Sequence, residues 1–334
     1  MEPPAAPAST PRIWVLTDAT VGHASQSLGV AEALGLPFET KAVAYNGWAR
    51  LPGLLGPRRL CGLDAASRAG LSRPWPDLVI ATGRRLGGVA RWIKRHAAAD
   101  GQRAFLTQMM DPVQGRDDFA LIAAPQHDEL PARGNAIATL GAPTRVTPER
   151  LAAAAVEWRD RLEHLPHPRL ALLVGGSAGR RTFTAAQAAE LGRFASALAR
   201  GQGGSLMVTT SRRSDDAATE ALRAAIDVPA YFHRWSPAGA NPYFAMLGLC
   251  DAAVVTGESI SMASEAVAAG KPLFVYGPPA LVKPAFARFH DALYEKGLAR
   301  PLGANAAFAV KPVPSLRTSQ IVADEIRRRL PLAT

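Results

Sequence analysis

Short unbroken apolar runs recur along this sequence, each followed by a turn bearing Gly or Ser and then by a stretch with helical periodicity. Residues 12–17 (RIWVLT) open the series, and residues 22–34 follow with Leu28, Ala31 and Leu34 on one helical face. Residues 77–83 (DLVIATG) form the next strand and glycine, with a helix expected over about 86–98. Residues 104–109 and 119–124 add two shorter strands. A strand that is apolar throughout has both faces covered. Its alternation with helices therefore predicts parallel sheets wrapped by helices, an α/β architecture.

A helix over 151–165 ends at Pro166 and Pro168, where the prolines stop it and stiffen the chain. The domain junction is expected there. The pattern then restarts with strand 169–174, turn 175–179 and a helix over 184–200 that opens on a Thr cap. Strands at 205–210, 229–233, 252–256 and 272–276 alternate with helices at 215–225, 242–249 and 261–269. The organisation expected is a disordered lead over 1–11, Rossmann-like domains over 12–165 and 166–315, and a terminal helix within 316–334. Two such domains imply a cleft, and open α/β sheets bind ligands at the carboxyl ends of their strands.

Length and composition narrow the class. The chain has 334 residues, 48% hydrophobic and 20% charged, enough for two buried cores and too apolar for general disorder. Only Cys61 and Cys250 are present, both in apolar surroundings, so buried thiols in a reducing compartment are expected rather than a disulfide framework. No run approaches the roughly 20 apolar residues that span a bilayer, and the start lacks the basic and apolar regions of a signal peptide. A cytoplasmic protein is expected. The net charge of +10 favours anionic partners without choosing among them.

Two segments in the second half carry the chemistry. In Gly175-Gly176-Ser177-Ala178-Gly179, glycines between a strand and a helix let backbone amides approach an anion, with a Ser hydroxyl beside them and Arg180 and Arg181 next in the chain. Sterically required glycines in a βα turn are the alternative. The segment is neither a Walker loop nor the dinucleotide fingerprint. In the segment 256–272, Ser259 and Ser261 fall at a strand end and helix start, where phosphate is favoured. Glu265 lies one helical turn past Ser261, and its carboxylate can accept both hydrogen bonds of a ribose diol. The alternative is that Ser259 only caps the helix and Glu265 is solvated. Arg212, after a strand, can pair with a diphosphate or be solvated.

In the first half, His23 stands at a loop-to-helix turn with Asp18 upstream, a candidate general base or an ordinary capping residue. His127 with Asp128, and Asp111, stand at other strand ends with weaker claims. Asn241 reads as an N-cap. Residues 48–60 combine hydrophobes with arginines, and Arg84, Arg85, Arg91, Lys94 and Arg95 ride on one loop and helix. These are candidates for an anionic membrane surface or a phosphate-bearing acceptor, or a solvated face. There is no nucleic-acid reading motif and no metal-ligand spacing.

Together the segments resemble the two-domain GT-B glycosyltransferases, with 175–179 and 259–272 similar to the donor-site segments of the peptidoglycan N-acetylglucosaminyltransferase. More specifically, the chain resembles the family named after a plant mitochondrial-fission protein, whose bacterial members are described as glycosyltransferases. That likeness rests on Gly22-His23-Ala24-Ser25-Gln26 with Gly29, Gln126-His127-Asp128, Ser211-Arg212-Arg213, Asn241-Pro242-Tyr243 and the run Ser259 to Glu265. The resemblance implies a donor site for a nucleotide-diphosphate sugar at Gly175, Gly176, Ser177, Gly179, Arg212, Ser259, Ser261, Met262 and Glu265, with Glu265 on the ribose. It implies His23 or Asp18 as the base of an inverting, metal-independent transfer, with no cofactor. The acceptor is expected to be lipid-linked or at the inner face of the membrane. A non-enzymatic scaffold that kept a vestigial site, and a nucleotide-sugar epimerase, are the alternatives the resemblance leaves open.

Overall fold

In a computed structural model, which describes residues 10–46, 60–308 and 313–330 and not the Cys61 side chain, the chain divides into two compact units. The first contains Met1–Arg145 and Arg317–Thr334, the second Val146–Leu316. Residues 1–9 of the expected lead and residues 48–59 of the basic apolar stretch lie outside the description.

The first unit is a six-stranded parallel sheet. Its strands are β1 (Ile13–Thr17), β2 (Glu39–Ala42), β3 (Leu78–Thr82), β4 (Phe105–Met109), β5 (Leu121–Pro125) and β6 (Ala136–Thr139), in the order β2-β1-β3-β4-β5-β6. Helices α1 (Val21–Leu34), α2 (Ala65–Gly70) and α3 (Gly83–Ala99) connect the early strands. β1, β3 and β5 are buried at every residue, as their unbroken apolar runs require. The order reverses between β1 and β3, so the loops leaving those strands diverge and open a crevice at their carboxyl ends.

The second unit begins with α4 (Pro148–Leu162), then runs β7 (Arg169–Leu173), α5 (Ala185–Arg200), β8 (Ser205–Thr209), α6 (Asp216–Ala224), β9 (Ala230–His233) and α7 (Tyr243–Leu249). It finishes with β10 (Ala252–Thr256), α8 (Ile260–Ala268), β11 (Leu273–Tyr276), α9 (Pro284–Glu295) and β12 (Ala299–Pro301). The parallel order β12-β11-β10-β7-β8-β9 is the 3-2-1-4-5-6 arrangement of nucleotide-binding sheets. Its reversal lies between β7 and β10, the strands that precede the two segments singled out from the sequence.

The junction differs from expectation. The helix expected to close the first domain is α4, which packs on α7 within the second unit. The Pro166–Pro168 segment after it is no hinge. The Arg169 guanidinium donates to the carbonyls of Leu165 (2.9 Å) and Glu163, and Asp251 accepts from the Arg169 amide and pairs with the His167 ring, both at 2.7 Å. The terminal helix α10 (Thr318–Arg329) belongs to the first unit, packed on α1.

Candidate functional site

In the second unit, three loops meet where the sheet order reverses. β7 runs into Gly175, whose amide donates to Thr256 Oγ1 at the end of β10 (2.8 Å). The Ser211 hydroxyl, from the loop after β8, donates to the Gly175 carbonyl, and Gly176 forms a β-bridge with Arg213. Gly176 has φ 106°, a backbone conformation that L side chains rarely adopt, and a Cβ there would meet the Arg213 backbone. Gly176 is therefore needed for loop-to-loop contact, whatever else the segment does.

Part of the loop's hydrogen bonding is taken up within itself and by the loop after β8. The Ser177 amide donates to Arg213 O (3.1 Å), Ala178 and Arg181 exchange bonds, and Ser177 Oγ accepts from the Phe183 amide (3.0 Å). Gly175 and Gly176 are buried, Ser177 is half-buried, and Gly179 and Arg180 are exposed. The solvent-facing part of the candidate anion loop is thus 177–180.

Sequence reasoning missed the group at the centre. Glu258 is 4% exposed, and a Cβ on Gly175 would collide with its Oε1. That oxygen accepts from Arg213 Nη2 (3.1 Å) and from the Thr256 hydroxyl (3.2 Å). Glu258 Oε2 is buried with no hydrogen-bond partner among the described residues. Burial pushes the Glu258 carboxyl up to about 7, against the opposing pull of Arg213. The arginine in this cluster is Arg213; Arg212, the one singled out from the sequence, is exposed.

Ser259 occupies the N-cap position of α8, and its side chain makes no capping bond. Ser261 and Met262 are half-buried in the first turn, and Glu265 is buried one turn on. Glu265 is not a solvated surface acid. Tyr243 Oη donates to its Oε2 at 2.5 Å, and burial beside that carboxylate raises the phenol pKa well above its ordinary value. Tyr243 is itself set by Asn241, whose Oδ1 accepts the Tyr243 amide (3.0 Å). The Asn-Pro-Tyr run therefore orients the acid, a link that the sequence does not reveal because the partners lie 22 residues apart.

In the first unit, His23 lies in the first turn of α1, over the crevice between β1 and β3. A Cβ on Gly83, the first residue of α3, would approach the His23 ring to 2.8 Å, so the glycine makes room for the imidazole. His23 Nδ1 stands 3.7 Å from Asp18 Oδ1, and that nitrogen is buried with no hydrogen-bond partner among the described residues. Asp18 is held by the Thr20 amide (2.8 Å). The structure thus brings the two candidates together. Tyr45 stands near them, its phenol pKa raised by burial and by the Asp18 charge, with the Arg85 guanidinium 5.2 Å from its ring centre.

Other candidates are accounted for differently. Asp111 accepts two bonds from Arg116 (2.8 and 2.6 Å), which hold its carboxyl below the usual range, so it is a poor proton donor. His127 Nε2 is 3.8 Å from Asp128 Oδ1, too far for a hydrogen bond. Arg91 and Lys94 are not open to a membrane surface: both are half-buried and bonded to Asp118. Arg84, Arg85 and Arg95 are exposed. Among the described residues, no helix is long and apolar enough to cross a membrane. Among them too, no group of three or more His, Cys, Asp and Glu is gathered to hold a metal ion.

Comparison with solved structures identifies the fold as GT-B. The chain superimposes on Acinetobacter baumannii MurG with a TM-score of 0.50 and 14% identity, covering 95% of this chain and 100% of that one. With the UDP-GlcNAc 2-epimerase of Methanocaldococcus jannaschii the TM-score is 0.53 at 12% identity, covering 96% and 94%. In sequence, the chain is 26% identical over 293 residues to the mitochondrial fission protein ELM1 of Arabidopsis thaliana, covering 80% of this chain and 67% of that protein. It is 24% identical over 324 residues to the protein RP120 of Rickettsia prowazekii (strain Madrid E), covering 86% and 89%. The family model described as mitochondrial fission ELM1 matches residues 21–330, nearly the whole chain, and the protein belongs to that family.

Proposed function

We propose that the protein is a glycosyltransferase that moves a sugar from a nucleotide-diphosphate donor to an acceptor. The observation that carries this reading is the Glu265 carboxylate, buried on the helix that follows the sheet's reversal point and oriented by Tyr243. A carboxylate has about four lone-pair positions, and its paired oxygens suit the two hydroxyls of a ribose. Ser259 and Ser261 at the start of α8, with Ser177, Gly179 and an arginine of the loop after β8, supply donors for the diphosphate.

In the reaction, the acceptor oxygen attacks the anomeric carbon as the bond from that carbon to the diphosphate oxygen breaks. His23 Nε2 takes the acceptor proton, and Asp18 on the Nδ1 side stabilises the imidazolium that forms. The electron pair leaves on the diphosphate, where amides, hydroxyls and arginine meet the growing charge. The acceptor is read as lipid-linked or membrane-associated, with Arg84 and Arg85 as the basic surface that meets it.

Calorimetry with UDP-, GDP-, ADP- and CMP-linked sugars tests the reading. One class of donor is expected to bind, and Glu265→Ala to weaken it at least tenfold, since two hydrogen bonds to a charged acceptor are lost (~1.5–3 kcal/mol each). Absence of binding by every donor overturns the enzyme reading in favour of a scaffold. The likeness to a UDP-GlcNAc 2-epimerase favours a second reading, and products formed from donor alone distinguish it. A transferase gives only slow hydrolysis, whereas an epimerase converts its substrate without an acceptor.

A further inference from the structure

The cluster around Glu258 has a feature that loop packing does not explain. A structural ion pair normally satisfies both carboxylate oxygens, because an unpaired buried charge is costly. Here Oε1 receives the Arg213 and Thr256 donors, while Oε2, equally buried, has no partner among the described residues. The Glu258 side chain is 1% exposed, yet its arginine is 31% exposed, so the guanidinium reaches from the buried acid toward solvent. Arg213 Nη1 also leans on Ser177 O (3.4 Å), in the part of the loop that faces outward. This guanidinium therefore stands between a buried acid and the solvent-facing edge of the candidate anion loop.

We propose that Arg213 is the guanidinium that meets the donor's diphosphate, and that Glu258 is its positioning residue, which takes up a proton when the anion engages Arg213. The proposal rests on the nucleotide-donor reading above. Before binding, the ionised carboxylate holds Arg213 across the two loops. An arriving dianion competes for the same guanidinium and adds negative charge beside the acid. Both effects disfavour the buried carboxylate, which is relieved when Oε2 accepts a proton from solvent. One proton is taken up, no covalent bond within the ligand changes, and the neutral acid keeps its Thr256 contact.

The other groups around Glu258 do not supply this proton dependence. From the β7–α5 loop it faces the Gly176 amide, and from β10 the Thr256 hydroxyl. From the β8–α6 loop it faces Arg213, with Arg212 and Arg180 exposed in the adjoining turns. Arginines stay charged throughout the working range. From α9, His290 borders the neighbouring Gly257, where a Cβ would come within 2.9 Å of its ring. Any contribution of His290 is common to the wild type and a Glu258 variant, so their difference isolates Glu258.

UDP-N-acetylglucosamine is the primary probe, because its diphosphate diester does not titrate between pH 6 and 9. Calorimetry in buffers of different ionisation enthalpy counts protons directly. The expected result is uptake of a substantial fraction of one proton at pH 7.5–8.5 and an affinity that falls by up to about tenfold per pH unit above neutrality. In Glu258→Gln the proton count drops to that of the background and the profile flattens, while Arg213→Ala weakens binding at every pH. Should the glutamine variant fail to fold, His290→Gln is the control: proton uptake that persists in it supports Glu258, and uptake that vanishes overturns the proposal. Binding with no proton uptake, or with the same uptake in wild type and Glu258→Gln, overturns the proposal.

Failure of this probe and of every other donor in the panel to bind at any pH counts against the donor reading rather than against the Arg213–Glu258 coupling. Inorganic sulfate, a dianion that needs no nucleoside site, then serves as the probe. Sulfate stabilisation that shrinks with rising pH in the wild type but not in Glu258→Gln supports the coupling. Identical sulfate profiles overturn it.

Discussion

Glu258 stands between Gly257 and Ser259, and its burial changes what its ionisation does to the fold. An unfolded glutamate titrates near 4.5, while burial lifts this one to about 7. Between those values the folded chain keeps a proton that the unfolded chain has released. Its contribution to stability is therefore fully present at low pH and is lost as pH rises through about 7. With the side chain almost fully enclosed, the difference corresponds to about 3 kcal/mol. Denaturant unfolding of the wild type and Glu258→Gln at pH 5 and pH 8 measures it. The glutamine variant is expected to gain on the wild type by up to about 3 kcal/mol over that interval. A constant gap, or one that moves in favour of the wild type, shows that the acid is ionised at little cost.

At the scale of elements, α3 shows how a basic helix can be committed to its own protein. Leu86, Gly87, Val89, Ala90, Ile93 and Ala97 form its buried face. The stems of Arg91 and Lys94 lie along the flank, their charges taken up by Asp118 and its carbonyl. What remains for a membrane is Arg84, Arg85 and Arg95, and three exposed cations give only weak, screened attraction, about 1 kcal/mol each. Sedimentation with phosphatidylserine vesicles is expected to show weak binding at low salt that Arg84→Ala/Arg85→Ala/Arg95→Ala removes and physiological salt largely abolishes. Salt-insensitive binding, or binding that survives the triple substitution, excludes this helix as the contact.

The same scale shows what the sequence reveals of the molecule. The buried strands are legible because a strand covered on both faces must be apolar at its centre, and β1, β3, β7, β8 and β10, buried at every residue, carry polar side chains only at their ends. The α5 start is equally legible, since Thr184 and Gln187 form the capping box that its Thr cap suggests. β2, β6 and β12 escape notice because they are sheet edges: Glu39 to Ala42 carries no apolar signal, and one side of each strand has no neighbour to bury it. At the site, the glycine loop and the Ser259–Glu265 run are visible as residue types at strand ends. The choice of Arg213 over Arg212 depends on which residue bridges Gly176, and the Tyr243–Glu265 bond on packing between α7 and α8. Neither leaves a local pattern.

The chain as a whole is not two beads in series. After completing the second unit it returns to the first, where Val322, Ala323, Ile326 and Leu330 join Ile13, Val15, Val30, Ala31 and Leu34 in one apolar cluster. The return is pinned by polar bonds as well: Ser319 Oγ accepts the Thr144 amide (2.8 Å) and donates to the Thr144 carbonyl (2.6 Å). Arg327 reaches the carbonyls of Ala33 and Leu34. A fragment ending at Arg145 therefore exposes the seam that α10 covers, whereas residues 146–316 contain their whole sheet and its core. Expressed separately, the 146–316 fragment is expected to melt cooperatively by circular dichroism. The 1–145 fragment is expected to do so only when a 317–334 peptide is supplied. In the intact chain, Ile326→Ala should cost roughly 2–5 kcal/mol, the range for deleting a buried aliphatic side chain. A 1–145 fragment that folds cooperatively without the peptide would show that α10 merely decorates the first unit. Dependence on the peptide would make the last helix a closing element, and would explain why a domain boundary drawn as a single cut in the sequence cannot describe this chain.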